Sequence, residues 1–439
     1  MGHGLNAPRC DAQAGVHDIE VLTLIAVTFL FGTFIGSFLN VCVHRLPRNE
    51  SVVQPPSRCY SCGTHLPWHD NLPIIGWLLL RGRCRACGTR FSARYLFAEV
   101  AVGVLTAATA WWLYSTGTPW VQQMPEMVAF GCAFAALLVL VWNLYVSSLI
   151  DLDHYIIPDE LTKSFQLIAP FLAVLAGTGL GIETPLPVLW LVSVDAFGAT
   201  TPTPMNLLMW MGIIGGAVMA LLALSIPVAR IIYSTLTKEA PWTEEDHRGF
   251  RIGVWWFIAC TTVHLSVLAG LLCVQPGGWW LLASLLLAQA ILGSLVGWFS
   301  LYVIGFLGTL VLQKNAMGFG DVKFLAPIGA FLGPVGTCFS FFGAALIGTI
   351  VGIPYIVRKY CATFRWFYAR GEKRSSFAGK MLRFTEKIGR LIRRIAYLGP
   401  ICSTLRRRPK VPFGPYLAAG AILALSGGGW FYRRFFEGF

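Results

Sequence analysis

Residues 127–159 read MVAFGCAFAALLVLVWNLYVSSLIDLDHYIIPD. The first part, Met127–Ile150, carries no charged side chain. About 20 apolar residues in a helix cross the hydrocarbon core of a bilayer, so this run is long enough to span. It ends directly on Asp151, and Asp153 and Asp159 follow within the same short stretch. An ionisable group at such a boundary is costly, and its presence points to function. Pro158 stops helical continuation, and Asp159 stands where it can cap a helix beginning near Leu161.

The same pattern holds along the chain. Of its 439 residues 56% are hydrophobic and only 13% are charged, with a mean hydropathy of +0.64. Backbone polar groups inside a bilayer must be satisfied within helices or closed barrels. The runs here are of helix length, at about 19–43, 95–114, 127–150, 161–180, 206–233, 253–274, 278–312, 335–357 and 416–431. The run 324–332 is too short to span and reads as half of a hairpin or of a broken helix. The run 278–312 exceeds one span and is expected to be tilted, extended or split. The expected fold is an all-α polytopic membrane protein with about eight to ten transmembrane helices.

The net charge of +13 does not point to nucleic acid, because the basic residues cluster between apolar runs. Eight Arg and two acids lie between Arg45 and Arg94, and sixteen Lys and Arg with two acids between Arg358 and Lys410. The stretches 115–125 and 182–205 contain no Lys or Arg. The positive-inside rule puts the first two in the cytoplasm and the last two outside. Asp151 and the later Asp321 then both fall at the cytoplasmic face. In the basic segment, Phe384, Ile388, Leu391, Ile392 and Ile395 recur at helical spacing among Arg and Lys, as in a surface helix on anionic lipid.

Twelve Cys are present; four form Cys59-x-x-Cys62 and Cys84-x-x-Cys87, separated by 21 residues. Each pair is followed by Gly. Two such knuckles bring four thiolates to one point, the arrangement of a closed, structural zinc site. The alternatives are two reduced pairs without metal, or redox-active thiols. Arg58, Arg83, Arg85 and Arg90 stand nearby to offset excess negative charge. The expected product is a small zinc-ribbon-like loop on the cytoplasmic side.

The second acidic stretch is Met317-Gly318-Phe319-Gly320-Asp321-Val322-Lys323. Gly318 and Gly320 are expected to let the backbone turn sharply or let an extended substrate approach. Two carboxyls held together cannot both ionise cheaply, so one keeps a proton. Asp151 and Asp321 are the expected acid/base pair, with Asp153, Asp159, Gly318, Phe319, Gly320 and Lys323 in support. Such a site needs neither nucleophilic Ser or Cys nor metal, and His44, His65, His69 and His154 are not required by it. A transporter with intramembrane acids, and a scaffold that recruits a partner through its zinc loop, are the competing readings.

These motifs resemble those of the type IV prepilin leader peptidase/N-methyltransferase family. Gly36-Ser37-Phe38-Leu39-Asn40-Val41 with His44-Arg45-Leu46-Pro47, the paired Cys loop, both Asp stretches and Pro412-Phe413-Gly414-Pro415-Tyr416 are similar to the family's motifs, in order. The resemblance implies a membrane aspartyl endopeptidase of the G-x-G-D type in the bacterial inner membrane. Its partners would be type IV prepilins or type II secretion pseudopilins, cut at the cytoplasmic face to release a short basic leader. It implies Asp151 and Asp321 as the catalytic pair. It also implies methylation of the new amino terminus by S-adenosylmethionine, associated with the amino-terminal region. The expected organisation is a tail (1–18), first helices with the Cys loop (19–115, loop 44–94), a peptidase core (126–358) holding inserted helices (about 177–279), a basic insertion (359–411), and a last helix and tail (412–439). The insertions set this chain apart from the usually shorter family pattern.

Overall fold

The computed structural model describes residues 10–116, 126–179, 244–274, 279–312, 317–368 and 413–436. Among these the structure is all helical; the β-type pairing consists of isolated bridges at Arg58–His65 and Arg83–Arg90. The helices are α1 (Cys10–Arg45), α2 (Ile75–Leu79), α3 (Arg94–Thr116), α4 (Glu126–His154), α5 (Asp159–Gly179), α6 (Glu244–Val274), α7 (Trp279–Leu312), α8 (Phe319–Tyr368) and α9 (Gly414–Phe436).

Six described helices contain stretches long and apolar enough to cross a membrane: Ile19–Arg48, Arg94–Ser115, Met127–His154, Arg248–Leu271, Ala283–Thr309 and Phe319–Val351. Gly414–Leu425 is a shorter apolar helix. The run expected at 161–180 is helical as α5 but is not among the six; Asp159, Glu160 and Lys163 occupy its first turns. The run expected at 206–233 and the amphipathic segment 383–395 lie outside the described residues. The long run at 278–312 forms one continuous helix of 34 residues. The short run at 324–332 is the first arm of a broken helix. Gly333 interrupts α8 at φ 67, ψ 178, just before Pro334. A side chain there would be strained and would meet Gln289 Nε2 at 2.7 Å.

The described residues fall into two compact units. The first draws on Met1–Val146, Leu167–Leu208 and Val263–Ala288. Its α1 and α3 approach closely because their contact is made of glycine. A Cβ on Gly32 would meet the Thr106 side chain, and one on Gly36 would lie 2.9 Å from Glu99 Cα. Such small-residue stripes let helix backbones meet in a bilayer, where lipid is as apolar as leucine. Polar contacts add to this: Trp142 Nε1 donates to Thr106 Oγ1 at 3.2 Å, and Asn40 Nδ2 to the Tyr95 carbonyl at 3.2 Å.

The second unit draws on Ser147–Gln166, Met209–Thr262 and Gln289–Phe439. Here α7 lies against the first arm of α8 through Gly293, Gly297 and Gly329. A Cβ on Gly293 would strike the Gly329 carbonyl, and one on Gly297 would lie 2.6 Å from the Leu325 carbonyl. The α8–α9 contact is similarly close, with Gly420 against the Ser340 backbone. An aromatic stack, Phe257–Trp298–Tyr302, joins α6 to α7 at 5.0 Å between successive ring centres.

Gly293→Ala forces a methyl into a backbone carbonyl that cannot move independently of its helix. Overpacking of this kind costs about 1–3 kcal/mol, so the purified variant should melt at lower temperature in detergent. A melting temperature equal to the parent's would show that α7 and α8 are less closely held.

Candidate active site and metal centre

Asp151 lies in the last turn of α4, three residues before its end at His154. The chain then reverses through Tyr155, a non-glycine residue at φ 59 whose N–H donates to the Asp151 carbonyl at 2.9 Å. Pro158 leads directly into α5. Asp159 is therefore already helical, and the capping role expected for it is not what its carboxylate does. It accepts from Lys323 Nζ at 2.6 Å and pairs with Lys163 Nζ at 2.8 Å. Burial pushes the Asp159 carboxyl up, and the two ammonium groups outweigh this and hold it below the usual carboxylate value. Lys323 belongs to α8 and is 6% exposed, so this ion pair ties the amino end of α8 to the amino end of α5.

Asp321 is in the first turn of α8. Asp151 is buried at 5% exposure, and its charge acts on Asp321. The structure thus brings the two residues into electrostatic contact although 170 positions separate them. Phe319, two residues earlier, is a packing anchor: its ring lies 5.0 Å from Phe250, edge-on to Trp298 and under Lys323 Nζ at 4.9 Å. Gly253 of α6 makes room for it; a Cβ there would strike the Phe319 ring and lie 2.8 Å from Lys323 Cε.

Of the two roles expected for the glycines flanking Phe319, the sharp turn is not seen. Neither adopts a positive φ, so no sharp turn depends on them. A Cβ on Gly318 would sit 3.6 Å from Asp321 Oδ2, and one on Gly320 would make ordinary contact with Ile157. What Gly318 does is leave the backbone beside the Asp321 carboxyl uncovered. Asp153 is half-buried in the same turn as Asp151.

One residue of the site was not assigned a role from the sequence. The Gly414 N–H donates to Asp151 Oδ2 at 2.8 Å, and a Cβ on Gly414 would lie 2.7 Å from that oxygen. The signal was present in the Pro-Phe-Gly-Pro-Tyr stretch, but nothing local says which carboxyl an amide 263 positions away will meet.

In the first unit, the Sγ atoms of Cys59, Cys62, Cys84 and Cys87 all lie within 4.8 Å of one another. The Cys59–Cys87 and Cys62–Cys84 separations are 3.8 and 4.0 Å. Tetrahedral sulfur around a metal at about 2.3 Å requires S···S edges of about 3.8 Å, so the four residues fit a metal ion. The two knuckles are built alike. The Cys59 N–H donates to the Thr64 carbonyl at 2.9 Å and the Gly63 N–H to the Cys59 carbonyl at 2.8 Å; Cys84, Gly88 and Thr89 repeat this at 2.8 and 2.9 Å. Gly63 and Gly88 turn each knuckle at φ 73 and 71. The Thr89 hydroxyl and amide facing Cys87 draw its thiol down to about 6, which favours the thiolate a metal needs.

The loop has little apolar core and is held by charge. Arg85, expected to offset thiolate charge, is instead held by Asp70 in a two-pronged pair at 2.8 and 2.6 Å. That hydrogen-bonded pair holds the Asp70 carboxyl below its usual value. Arg45, buried at the end of α1, donates to the Ser51 and Pro55 carbonyls at 3.0 and 2.8 Å. Glu99 of α3 accepts the N–H of Ile74 at 2.7 Å, where the backbone is left-handed at φ 61. Neither residue announced this clasp in the sequence, because each partner is a main-chain group.

Comparison with known proteins supplies the context for both sites. Residues 30–113 match the model of the bacterial peptidase A24 N-terminal domain, and residues 252–353 that of the type IV leader peptidase family. The second match includes Asp321 but not Asp151. The prepilin leader peptidase/N-methyltransferase of Myxococcus xanthus is 39% identical over 145 residues, which are 33% of this chain and 39% of that protein. The one from Stutzerimonas stutzeri is 30% identical over 39% of this chain and 65% of its own length. The chain thus covers less than two thirds of either relative. The one from Pseudomonas putida is 28% identical over 77% of this chain and 83% of its own length. No solved structure matches.

Two variants test the ion pair that ties α8 to α5. Asp159→Asn leaves the buried Lys323 ammonium without its nearest carboxylate, expected to cost about 1–3 kcal/mol, less than for a wholly buried pair because Asp159 is partly exposed. Asp159→Asn with Lys323→Met should recover part of that loss in thermal melts. Additive losses would show that the two side chains do not interact. For the Cys loop, the depressed Asp70 carboxyl contributes stability above its unfolded value of 3.8 that is lost only as pH falls through the lower folded value. Protease resistance of the loop on acid titration should therefore persist to lower pH in the parent than in Arg85→Gln.

Proposed function

We propose that this chain is a member of the type IV leader peptidase family and a membrane-embedded aspartyl endopeptidase acting on prepilins or the related pseudopilins. Asp151 and Asp321 are its catalytic pair. The observation that carries this reading is the buried Asp151 carboxyl acting on Asp321 at the ends of two apolar helices.

The chemistry follows from two carboxyls sharing one proton. The ionised one takes a proton from water, and the protonated one polarises the scissile carbonyl; the roles exchange as the amide nitrogen leaves. The uncovered backbone at Gly318 is suited to an extended substrate segment beside Asp321. Lys323, Asp159 and Phe319 position α8 and do not touch the reacting atoms. The basic loop between Arg45 and Arg94 supports a cytoplasmic active-site face in a bacterial inner membrane. The basic insertion would lie on anionic lipid.

Cys59, Cys62, Cys84 and Cys87 would hold a structural zinc ion; with four sulfur ligands it has no open position and supplies folding rather than reaction chemistry. N-methylation of the new amino terminus is the second activity, and S-adenosylmethionine would supply the methyl group. The described residues contain no strand, so the strand–turn–helix cradle common to nucleotide folds has no framework among them.

Purified protein in detergent or proteoliposomes should cleave a prepilin after its leader, and Asp151→Asn and Asp321→Asn should each abolish cleavage without lowering the melting temperature. Cleavage surviving in either variant would refute the aspartyl mechanism. Cys59→Ser and Cys84→Ser should lose bound zinc by elemental analysis and expose residues 44–94 to protease. Zinc retained in both would refute the four-thiolate site.

A further inference from the structure

We infer that the backbone N–H of Gly414 divides the labour of the two aspartates, fixing Asp151 as the carboxylate that activates water and leaving Asp321 as the acid that polarises the scissile carbonyl. This rests on the peptidase reading above and assigns roles within it.

The two carboxyls stand in unequal surroundings. Asp151 Oδ2 accepts the Gly414 N–H at 2.8 Å. Among the described residues, no hydrogen bond reaches the Asp321 side chain. Gly414 is the first residue of α9, a helix of 23 residues. The first N–H groups of a helix have no partner within it and carry the positive end of its dipole. A hydrogen bond from such a group favours the charged form of the acceptor. The charge of a pair sharing one proton then rests on Asp151, and the proton on Asp321.

No other charged group among the described residues overrides this. The titratable group facing Asp151 is Asp321 itself. Lys323, the nearest cation on α8, is held by Asp159 at 2.6 Å. Oδ2 is committed to the amide, and no other hydrogen bond to the carboxyl is seen among the described residues, so Oδ1 is the oxygen free to take a proton from water.

Gly414 must be glycine for a steric reason. A Cβ at this position would lie 2.7 Å from Asp151 Oδ2 and 3.3 Å from its Cβ and Cγ. The nearest of these atoms is the end of a rotatable side chain. An alanine is therefore accommodated by turning the carboxyl away from the amide, not by unfolding the helix. Gly414 acts through Asp151 and is a positioning residue.

The experiment compares Gly414→Ala with the parent in prepilin cleavage, reading kcat and KM separately. Loss of one preorganised donor to a reacting charge reduces rates by about 10²-fold. That loss is expected in kcat, with KM within about twofold, because the substrate is not touched. Gly348→Ala serves as the packing control. Its methyl would lie 3.5 Å from the Tyr416 ring, an ordinary contact in the same helix pair, and it should cleave as the parent does. Infrared difference spectra of carboxyl-labelled protein read the proton directly at neutral pH. Asp321→Asn should retain a carboxylate band from Asp151, and Asp151→Asn a protonated-acid band from Asp321.

Gly414→Ala cleaving at the parent's rate while Asp151→Asn is inactive would overturn the inference and leave the peptidase reading standing. Infrared bands in the reverse order would do the same. Cleavage persisting in both Asp→Asn variants would remove the peptidase reading and this inference with it. The infrared comparison decides alone if Gly414→Ala does not accumulate.

Discussion

A carboxyl group buried at the end of an apolar helix is tolerated only where other groups are held against it, and the second unit of this protein is arranged to meet that demand. Asp151 is 5% exposed and is met by a main-chain donor at the start of another helix. Burying an ionisable group without such partners costs several kcal/mol. The backbone geometry of α4, α8 and α9 near these residues is what makes the site affordable. The same reasoning explains Lys323, a buried ammonium that would be equally costly without the Asp159 carboxylate.

Glycine is the means by which helices come close enough for this. Gly293, Gly297 and Gly329 let α7 and α8 meet backbone to backbone, Gly420 does so for α8 and α9, and Gly253 admits Phe319 and Lys323. Lipid offers no hydrophobic force to press helices together, so close van der Waals contact has to supply it. The break at Gly333 belongs to the same scheme. It ends the short arm of α8 that begins with Phe319 and Asp321 and lets the remaining arm continue in a different direction.

The Cys loop solves a different problem. It is polar, has one short helix among its knuckles, and cannot bury enough apolar surface to order itself. Four sulfur atoms at mutual distances suited to one metal ion, the two-pronged pair of buried Asp70 with exposed Arg85, and the Arg45 and Glu99 contacts to main chain take the place of a core. The duplication of Cys-x-x-Cys-Gly-Thr is what makes the two knuckles superimposable in their hydrogen bonding.

The helical membrane architecture, the four cysteines as one cluster and the break after Leu332 were all legible in the amino-acid order. Each depends on residues near one another in the chain: uninterrupted apolar runs, two short Cys pairs, a run too short to span. Length and spacing suffice there because the governing forces, bilayer thickness and knuckle geometry, act locally. The sharp turn expected of Gly318 and the cap expected of Asp159 were read less well, since both are local options that the fold does not use. Which amide reaches Asp151, which cation Asp159 holds, and what clasps Ile74 were decided by tertiary structure alone. Those partners lie 263, 164 and 25 positions away, and a hydrogen bond from a main-chain N–H leaves no side-chain signature in the sequence that donates it.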